Sequence, residues 1–135
     1  MRVVLDTNVL ISAFASPSGT PGKIYKAWIA GQFELIISSY ILAEFQRIAV
    51  IKLGFRQARV VPILKLFGQL ANVVEPQDFH IHGIEDNDQL IAGTAISGRA
   101  NFLVTGDKKL LWVKELIGII VINPNDFFAL LANTN

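Results

Sequence analysis

Apolar positions along the chain follow two alternating patterns: short continuous runs of Val, Ile and Leu, and longer stretches with apolar residues three or four apart. The first pattern reads as strands buried on both faces, the second as amphipathic helices. Residues 2–5 make the first run, stopped by Asp6, Thr7 and Asn8, which favour turns and caps over strand interiors; a strand and then a loop are expected. Residues 16–22 are the one clear loop, and Thr20 as N-cap with Pro21 at the first helical position opens a helix through Gln32. A second strand covers 34–38. From Ser39 the spacing of Ile41, Leu42, Phe45, Ile48 and Ala49 is helical, Gly54 breaks it, and another helix runs from Arg56 to about Asn72, interrupted by Pro62.

The rest of the chain continues the alternation. Residues 73–75 predict a brief strand ended by Pro76. After the polar segment 78–87, Leu90, Ile91, Ala92, Ala95 and Ile96 mark a small-residue helix closed by Gly98, and a strand follows over 102–105. Residues 107–115 read as a short helix, 119–122 as a strand, and Asn123-Pro124 as cap and first turn of a last helix through Leu131. Strands alternating with helices predict an α/β fold with a mainly parallel sheet covered on both faces.

Composition narrows the setting. The 135 residues suit one domain spanning 1–135, and 52% hydrophobic against 17% charged residues puts the chain far from disorder. No apolar run approaches the roughly 18–20 residues of a membrane-spanning helix. The N-terminus enters a strand-like run without the regions of a signal peptide, and no cysteine is present for disulfides or thiolate metal sites, so the cytoplasm is the expected location. Twelve Lys and Arg against eleven Asp and Glu leave a net charge of +1; any nucleic-acid contact has to come from a local patch, not a bulk field.

Four acids stand at informative points. Asp6 ends the first strand, Asp107 follows the strand over 102–105, Asp88 opens the small-residue helix, and Glu44 lies inside the helix after the second strand. In an open parallel sheet, ligands collect outside the carboxyl ends of the strands, so four carboxylates are expected on one rim. Held together they repel, and a cation is the simplest means of neutralising them. Oxygen ligands without cysteine suit Mg²⁺ or Mn²⁺ better than Zn²⁺. Such an ion can polarise a phosphodiester and activate a water, which is nuclease chemistry.

Plainer readings exist for each. An Asp after a strand often only caps a helix, which applies to Asp88 and Asp107. Glu44 is the hardest to dismiss, because Ile41, Leu42, Ala43 and Phe45 around it are apolar. His80 and His82 alternate in a loop beside Glu85 and Asp86, but nothing else in the chain completes a metal site there, and they read as surface residues. Arg47, Lys52, Arg56, Arg59 and Lys65 lie on the helical pair, where a solvated face and a phosphate-binding rim are both open. Lys108 and Lys109, adjoining Asp107, are the better phosphate candidates.

Four segments carry these residues: Val3-Val4-Leu5-Asp6-Thr7-Asn8-Val9-Leu10, Ser38-Ser39-Tyr40-Ile41-Leu42-Ala43-Glu44, Asp88-Gln89-Leu90-Ile91-Ala92-Gly93-Thr94-Ala95, and Leu103-Val104-Thr105-Gly106-Asp107-Lys108-Lys109-Leu110-Leu111. In order and spacing, over nearly the whole chain, they resemble the PIN-domain ribonucleases, and within them the VapC-type toxins of toxin–antitoxin systems. The resemblance implies a three-layer α/β/α fold and Mg²⁺- or Mn²⁺-dependent endonucleolytic cleavage of RNA. It implies that Asp6, Asp88 and Asp107 hold the metal directly or through water, with Glu44 orienting a water or a second ion. Thr7, Asn8 and Thr105 would fix carboxylate rotamers by hydrogen bonds. Lys108, Lys109 and Arg47 are the candidate RNA contacts. A homodimer and a cognate antitoxin that occludes the cleft are implied by analogy.

The chain departs from the family pattern at Lys109, where many relatives carry another acid; this removes a ligand that a second metal ion could use. Asp86 is a further acid before Asp88. Two other readings remain. One is a PIN-like module that binds RNA or protein without cutting. The other is a phosphatase of the haloacid dehalogenase type, which also begins with a strand ending in Asp but wants a second Asp where this chain has Asn8.

Overall fold

The apolar runs assemble into a six-stranded sheet in the computed structural model, which describes residues 1–134. Its strands are β1 (Arg2–Leu5), β2 (Glu34–Ser38), β3 (Asn72–Val74), β4 (Phe102–Val104), β5 (Glu115–Leu116) and β6 (Ile119–Ile122). Their order is β3-β2-β1-β4-β6-β5, parallel except where β5 runs antiparallel to β6. Val3, Val4, Leu35, Ile36, Ile37, Leu103 and Val104 are fully buried, the state that near-continuous apolar strands require when both sheet faces are covered.

The helices are α1 (Thr7–Ala15), α2 (Thr20–Ile29), α3 (Ser39–Arg47), α4 (Gln57–Leu70), α5 (Asp86–Ser97), α6 (Lys108–Val113) and α7 (Pro124–Thr134). Contacts link α1 to α2 and α3, α3 to α4, and α2 to α7, while α5 packs on β1, β2 and β4. The chain winds from β1 through β2 to β3 in one direction and from β3 to β4 in the other. Right-handed crossovers in opposite directions put their helices on opposite faces, which makes the three layers. Phe14, Tyr25, Trp28, Phe45 and Phe67 lock α1 to α4 together, mostly through edge-on rings with centroids 4.8 to 6.2 Å apart. Such pairs add about 0.5–1.5 kcal/mol each beyond the area they bury.

Several elements differ from the sequence reading. The loop expected after Asp6 is helix α1: the Asp6 carbonyl accepts from Val9 and Leu10 N–H, and Val9, Leu10, Ile11 and Ala13 are buried. The polar Thr7 and Asn8 are its first turn, where polar residues are tolerated. Helix α2 starts one residue early, with Gly19 in the N-cap position, and stops at Ile29 instead of Gln32. Helix α3 passes into a π-helical turn over Ile48–Lys52, with Leu53 N–H donating to the Ile48 carbonyl. Pro62 does not interrupt α4; it and Ala58 are exposed, so the carbonyl that loses its intrahelical donor faces water. The helix read over 107–115 stops at Val113, and Glu115–Leu116 turns back along β6 through Ile117 and Gly118, both at positive φ (49° and 80°). That pair of positive angles is the two-residue turn matched to strand twist.

Gly98 ends α5 as read, for a different reason. Its φ of −84° is ordinary, and Arg99 takes the left-handed conformation instead (φ 52°). A Cβ at Gly98 would collide with Cγ2 of Ile36, a fully buried side chain of β2, so the missing side chain is what lets α5 approach the sheet. Gly98→Ala should therefore destabilise the fold by about 1–3 kcal/mol through overpacking. Gly68→Ala, in α4 where a Cβ meets nothing within 4 Å, should stabilise it by about 0.5–1 kcal/mol. Urea unfolding of the two variants checks the pair; equal shifts would remove the packing explanation.

Candidate functional site

Winding reverses at β1, with β2 and β3 on one side and β4 and β6 on the other, so a crevice opens at the carboxyl ends of β1 and β4. Asp6 follows β1 directly, and its N–H donates to the Val104 carbonyl at 2.9 Å. Thr105 follows β4 and is fully buried. Its hydroxyl donates to Asp6 Oδ2 at 2.7 Å, and its Oγ1 accepts from Asp107 N–H at 3.0 Å. One threonine thus orients the acid of β1 and the loop that carries the acid of β4. Asp107 is also the N-cap of α6: Oδ1 accepts from Lys109 N–H at 2.8 Å and Leu110 N–H at 3.3 Å. Capping occupies Oδ1 and leaves Oδ2 without a backbone donor.

Glu44 is delivered by β2 and α3. Ser38, the last residue of β2, accepts from Ile41 N–H at 3.2 Å and so caps α3, whose buried face is Ile41 and Phe45. Half-buried Glu44 receives the hydroxyl of Tyr40, one turn earlier, on Oε2 at 2.7 Å. Burial and that hydrogen bond push the Tyr40 phenol above its usual value, against the nearby charge of Arg47, so Tyr40 remains a donor. The Ser38 and Thr94 hydroxyls, 2.8 Å apart, tie the end of β2 to α5.

Asp88 sits in the first turn of α5 and, like Asp6, is only 5% exposed. Its carboxyl is pushed up to about 7, first by burial, then by the charge of Asp107 and a hydrogen bond with it, then by Asp6 and Glu85. Burial also raises the Asp6 carboxyl; the Thr105 hydrogen bond opposes this, and the charge of Glu44 adds to it. Asp6, Glu44, Asp88 and Asp107 therefore form one electrostatic neighbourhood, assembled from two helices and two strand ends.

The other sequence candidates are more scattered. Of the side chains of Thr7, Asn8 and Thr105, only that of Thr105 reaches a carboxylate: Asn8 is exposed on α1, and the Thr7 hydroxyl is buried beside Asp6 without a partner, while the Thr7 backbone N–H donates to the Asp6 carboxyl and works against its rise. Lys109 pairs with Glu85 at 3.4 Å in an exposed position, Lys108 is exposed, and Arg47 is exposed one turn beyond Glu44. His80 and His82 are exposed. Tyr40 and Ser38 are functional neighbours that the sequence reading passed over; the four-residue spacing of Tyr40 and Glu44 on one helix face was the available signal.

This arrangement is suited to positive charge. All its donors are oxygen, two of its acids are buried, and an unpaired hydroxyl stands beside them. Among the described residues, no three acidic or histidine side chains close into a cage as they stand.

The family model of the PIN domain matches residues 2–109. The chain is 28% identical to an uncharacterised protein of Methanocaldococcus jannaschii over 128 residues, covering 85% of this chain and 76% of that protein. In structure it is similar to VapBC2 from Rickettsia felis bound to a DNA fragment from their promoter, with a TM-score of 0.62 and 24% identity over 91% of this chain and 98% of that one. It is also similar to VapBC-1 from nontypeable Haemophilus influenzae, with a TM-score of 0.54 and 21% identity over 81% of this chain and 89% of that one. These two likenesses concern the fold. The family match takes in the sheet from β1 to β4 and every one of the four clustered acids, and the chain belongs to the PIN domain family.

Proposed function

We propose that this protein is a metal-dependent endoribonuclease that hydrolyses RNA phosphodiester bonds, acting as the toxin of a type II toxin–antitoxin pair. The observation that carries the reading is the gathering of four carboxylates at the switch point of the sheet, two of them held buried against their own charge. The donor chemistry fits a hard cation. In the proposed site Asp6, Asp88 and Asp107 hold Mg²⁺ or Mn²⁺ directly or through water, and Glu44 orients a water or a second ion. When bound, the cation polarises the phosphodiester and makes a water nucleophilic near neutral pH.

The chain's own groups do the positioning. Thr105 fixes the rotamer of Asp6 through Oδ2, and Tyr40 holds Glu44 through Oε2, which leaves Oε1 to accept a proton from a water. Lys108, Lys109 and Arg47 supply positive charge for the flanking phosphates. On this reading the partners are an RNA, a second copy of the chain and an antitoxin protein, in the cytoplasm, with 1–135 acting as one domain. The shared fold of the two VapBC complexes supports the antitoxin.

Purified protein given a pool of structured and single-stranded RNAs should cut with Mg²⁺ or Mn²⁺ and stop with chelator. Asp88→Asn should lower cleavage to background while the variant remains folded. Metal-dependent cutting by that variant at the wild-type rate would move the site elsewhere, and metal-induced stabilisation without any cutting would favour the non-cutting module.

A second outcome concerns stability. A carboxyl raised to about 7 keeps its proton in the folded chain at pH values where the unfolded chain, with an ordinary value of about 3.9, has lost it. That contribution is complete below the unfolded value and disappears as pH rises through the folded one. In chelator, the melting temperature should therefore fall between about pH 4 and about pH 7, and Asp88→Asn should flatten the fall. An unchanged slope in the variant would assign the dependence to other groups.

Lys109→Ala should weaken RNA binding and reduce the slope of log K against log salt by about one phosphate contact. An unchanged slope would leave Lys109 as a solvated partner of Glu85.

A further inference from the structure

Trp112 is the most exposed large apolar residue described, at 84%, while Leu110 alone supplies the fully buried anchor of α6. It has no aromatic partner among the described residues, and no contact in the fold explains why an indole stands there. It lines a cavity of about 460 Å³ together with His82, Ile84, Lys108, Lys109 and Val113. That size is within the range of sites that hold one small-molecule-sized group. Lys108 and Trp112 are four residues apart, and so lie on one face of α6.

The same helix begins at Asp107. At about 1.5 Å and about 100° per residue, Trp112 lies about 7.5 Å along the axis from that acid and about 140° around it, so the indole stands apart from the carboxylate but close enough for a neighbouring nucleotide of one strand. Charge decides between nucleic acid and protein as occupant. Two lysines and a histidine frame the indole, whereas the cores of protein interfaces are depleted of lysine and the carboxylate opposing Lys109 is itself exposed. An exposed indole flanked by cations is the arrangement that stacks an unpaired base while its phosphates are held.

We propose that Trp112 stacks an unpaired nucleobase of the substrate RNA one or two nucleotides from the bond that is cut, with Lys108 and Lys109 holding the adjoining phosphates. The proposal rests on the ribonuclease reading and deepens it: the substrate must be single-stranded, or looped out, at this point. A base inside a duplex has no free face to offer the indole.

The test is binding in chelator, where no cutting confuses the titration, with a short single-stranded oligouridine as probe. Trp28 is 6% exposed, so the solvent-exposed part of the tryptophan emission belongs to Trp112, and the probe should quench it. Trp112→Ala should weaken oligouridine binding roughly five- to a hundred-fold, the range expected for one lost base–aromatic stack, and Trp112→Phe should restore most of it. Inorganic polyphosphate, which has no base, should bind Trp112→Ala and wild type alike.

Equal affinity of Trp112→Ala and wild type for oligouridine overturns the proposal, as does an equal loss for polyphosphate. Unchanged RNA binding with altered sedimentation would make this face a protein interface, and overturns it too. If the wild type cuts RNA while Trp112→Ala binds and cuts equally well, only the stacking role falls. If the wild type neither binds nor cuts RNA, the ribonuclease reading falls with it.

Discussion

β1 pairs with β4 in a register that sets Leu5 against Val104, and this pairing brings together residues 99 positions apart in the chain. The next residue of each strand then meets across the sheet end: Asp6 N–H donates to the Val104 carbonyl, and the Thr105 hydroxyl donates to the Asp6 carboxylate. Because winding reverses here, no crossover helix covers the gap between these two strand ends. The acids on α3 and α5 arrive at the same gap from either side. A slip of one residue in the β1–β4 register would turn Asp6 away and break the Thr105 link, so the site is specified as firmly as the apolar pairing that sets the register.

Two buried carboxylates oppose this arrangement. Without a cation, the folded chain holds the Asp88 carboxyl up at about 7, so that it is only partly ionised near neutral pH, and raises Asp6 as well. The fold can hold them because the surrounding core is large, with fully buried aliphatic residues on three adjacent strands and the Phe45–Phe67 pair between α3 and α4. The stability lost at the rim is offset by packing elsewhere, which is how a site can stay strained in a chain that folds cooperatively. The close approach of α5 belongs to the same design, since it delivers Asp88 and depends on the absence of a side chain at Gly98.

Asp107 illustrates why single residues in a sequence are ambiguous. Helix cap and charged site residue are alternatives on paper, yet one of its oxygens caps α6 and the other is left without a backbone donor. Lys109 is similarly divided, lending its N–H to that cap and its ammonium to Glu85. The exposed Trp112 stands one helical turn further on, so α6, a helix of six residues capped by an acid, carries two cations and an aromatic surface in sequence.

Strands 34–38 and 119–122, the alternation of classes and the parallel sheet were legible from the chain, because continuous β-branched runs have few other stable uses. So were the four acids: Asp6, Asp88 and Asp107 lie where a strand ends or a helix begins, and Glu44 stands among apolar neighbours inside α3. Helix α1 was not, since its opening Thr7 and Asn8 look like a turn until burial of Val9, Leu10 and Ile11 pays for ordering them. Nor was β5: Ile117-Gly118 lacks the usual Asn or Asp of a tight turn, and only pairing with β6 holds an isoleucine at positive φ. The sequence determined which residues could carry charge and which segments had to be buried, through local composition and period. Tertiary structure alone decided that the Thr105 hydroxyl orients Asp6 and that the side chains of Thr7 and Asn8 do not, because hydrogen bonds between side chains distant in sequence depend on strand register and helix approach, which no local pattern encodes.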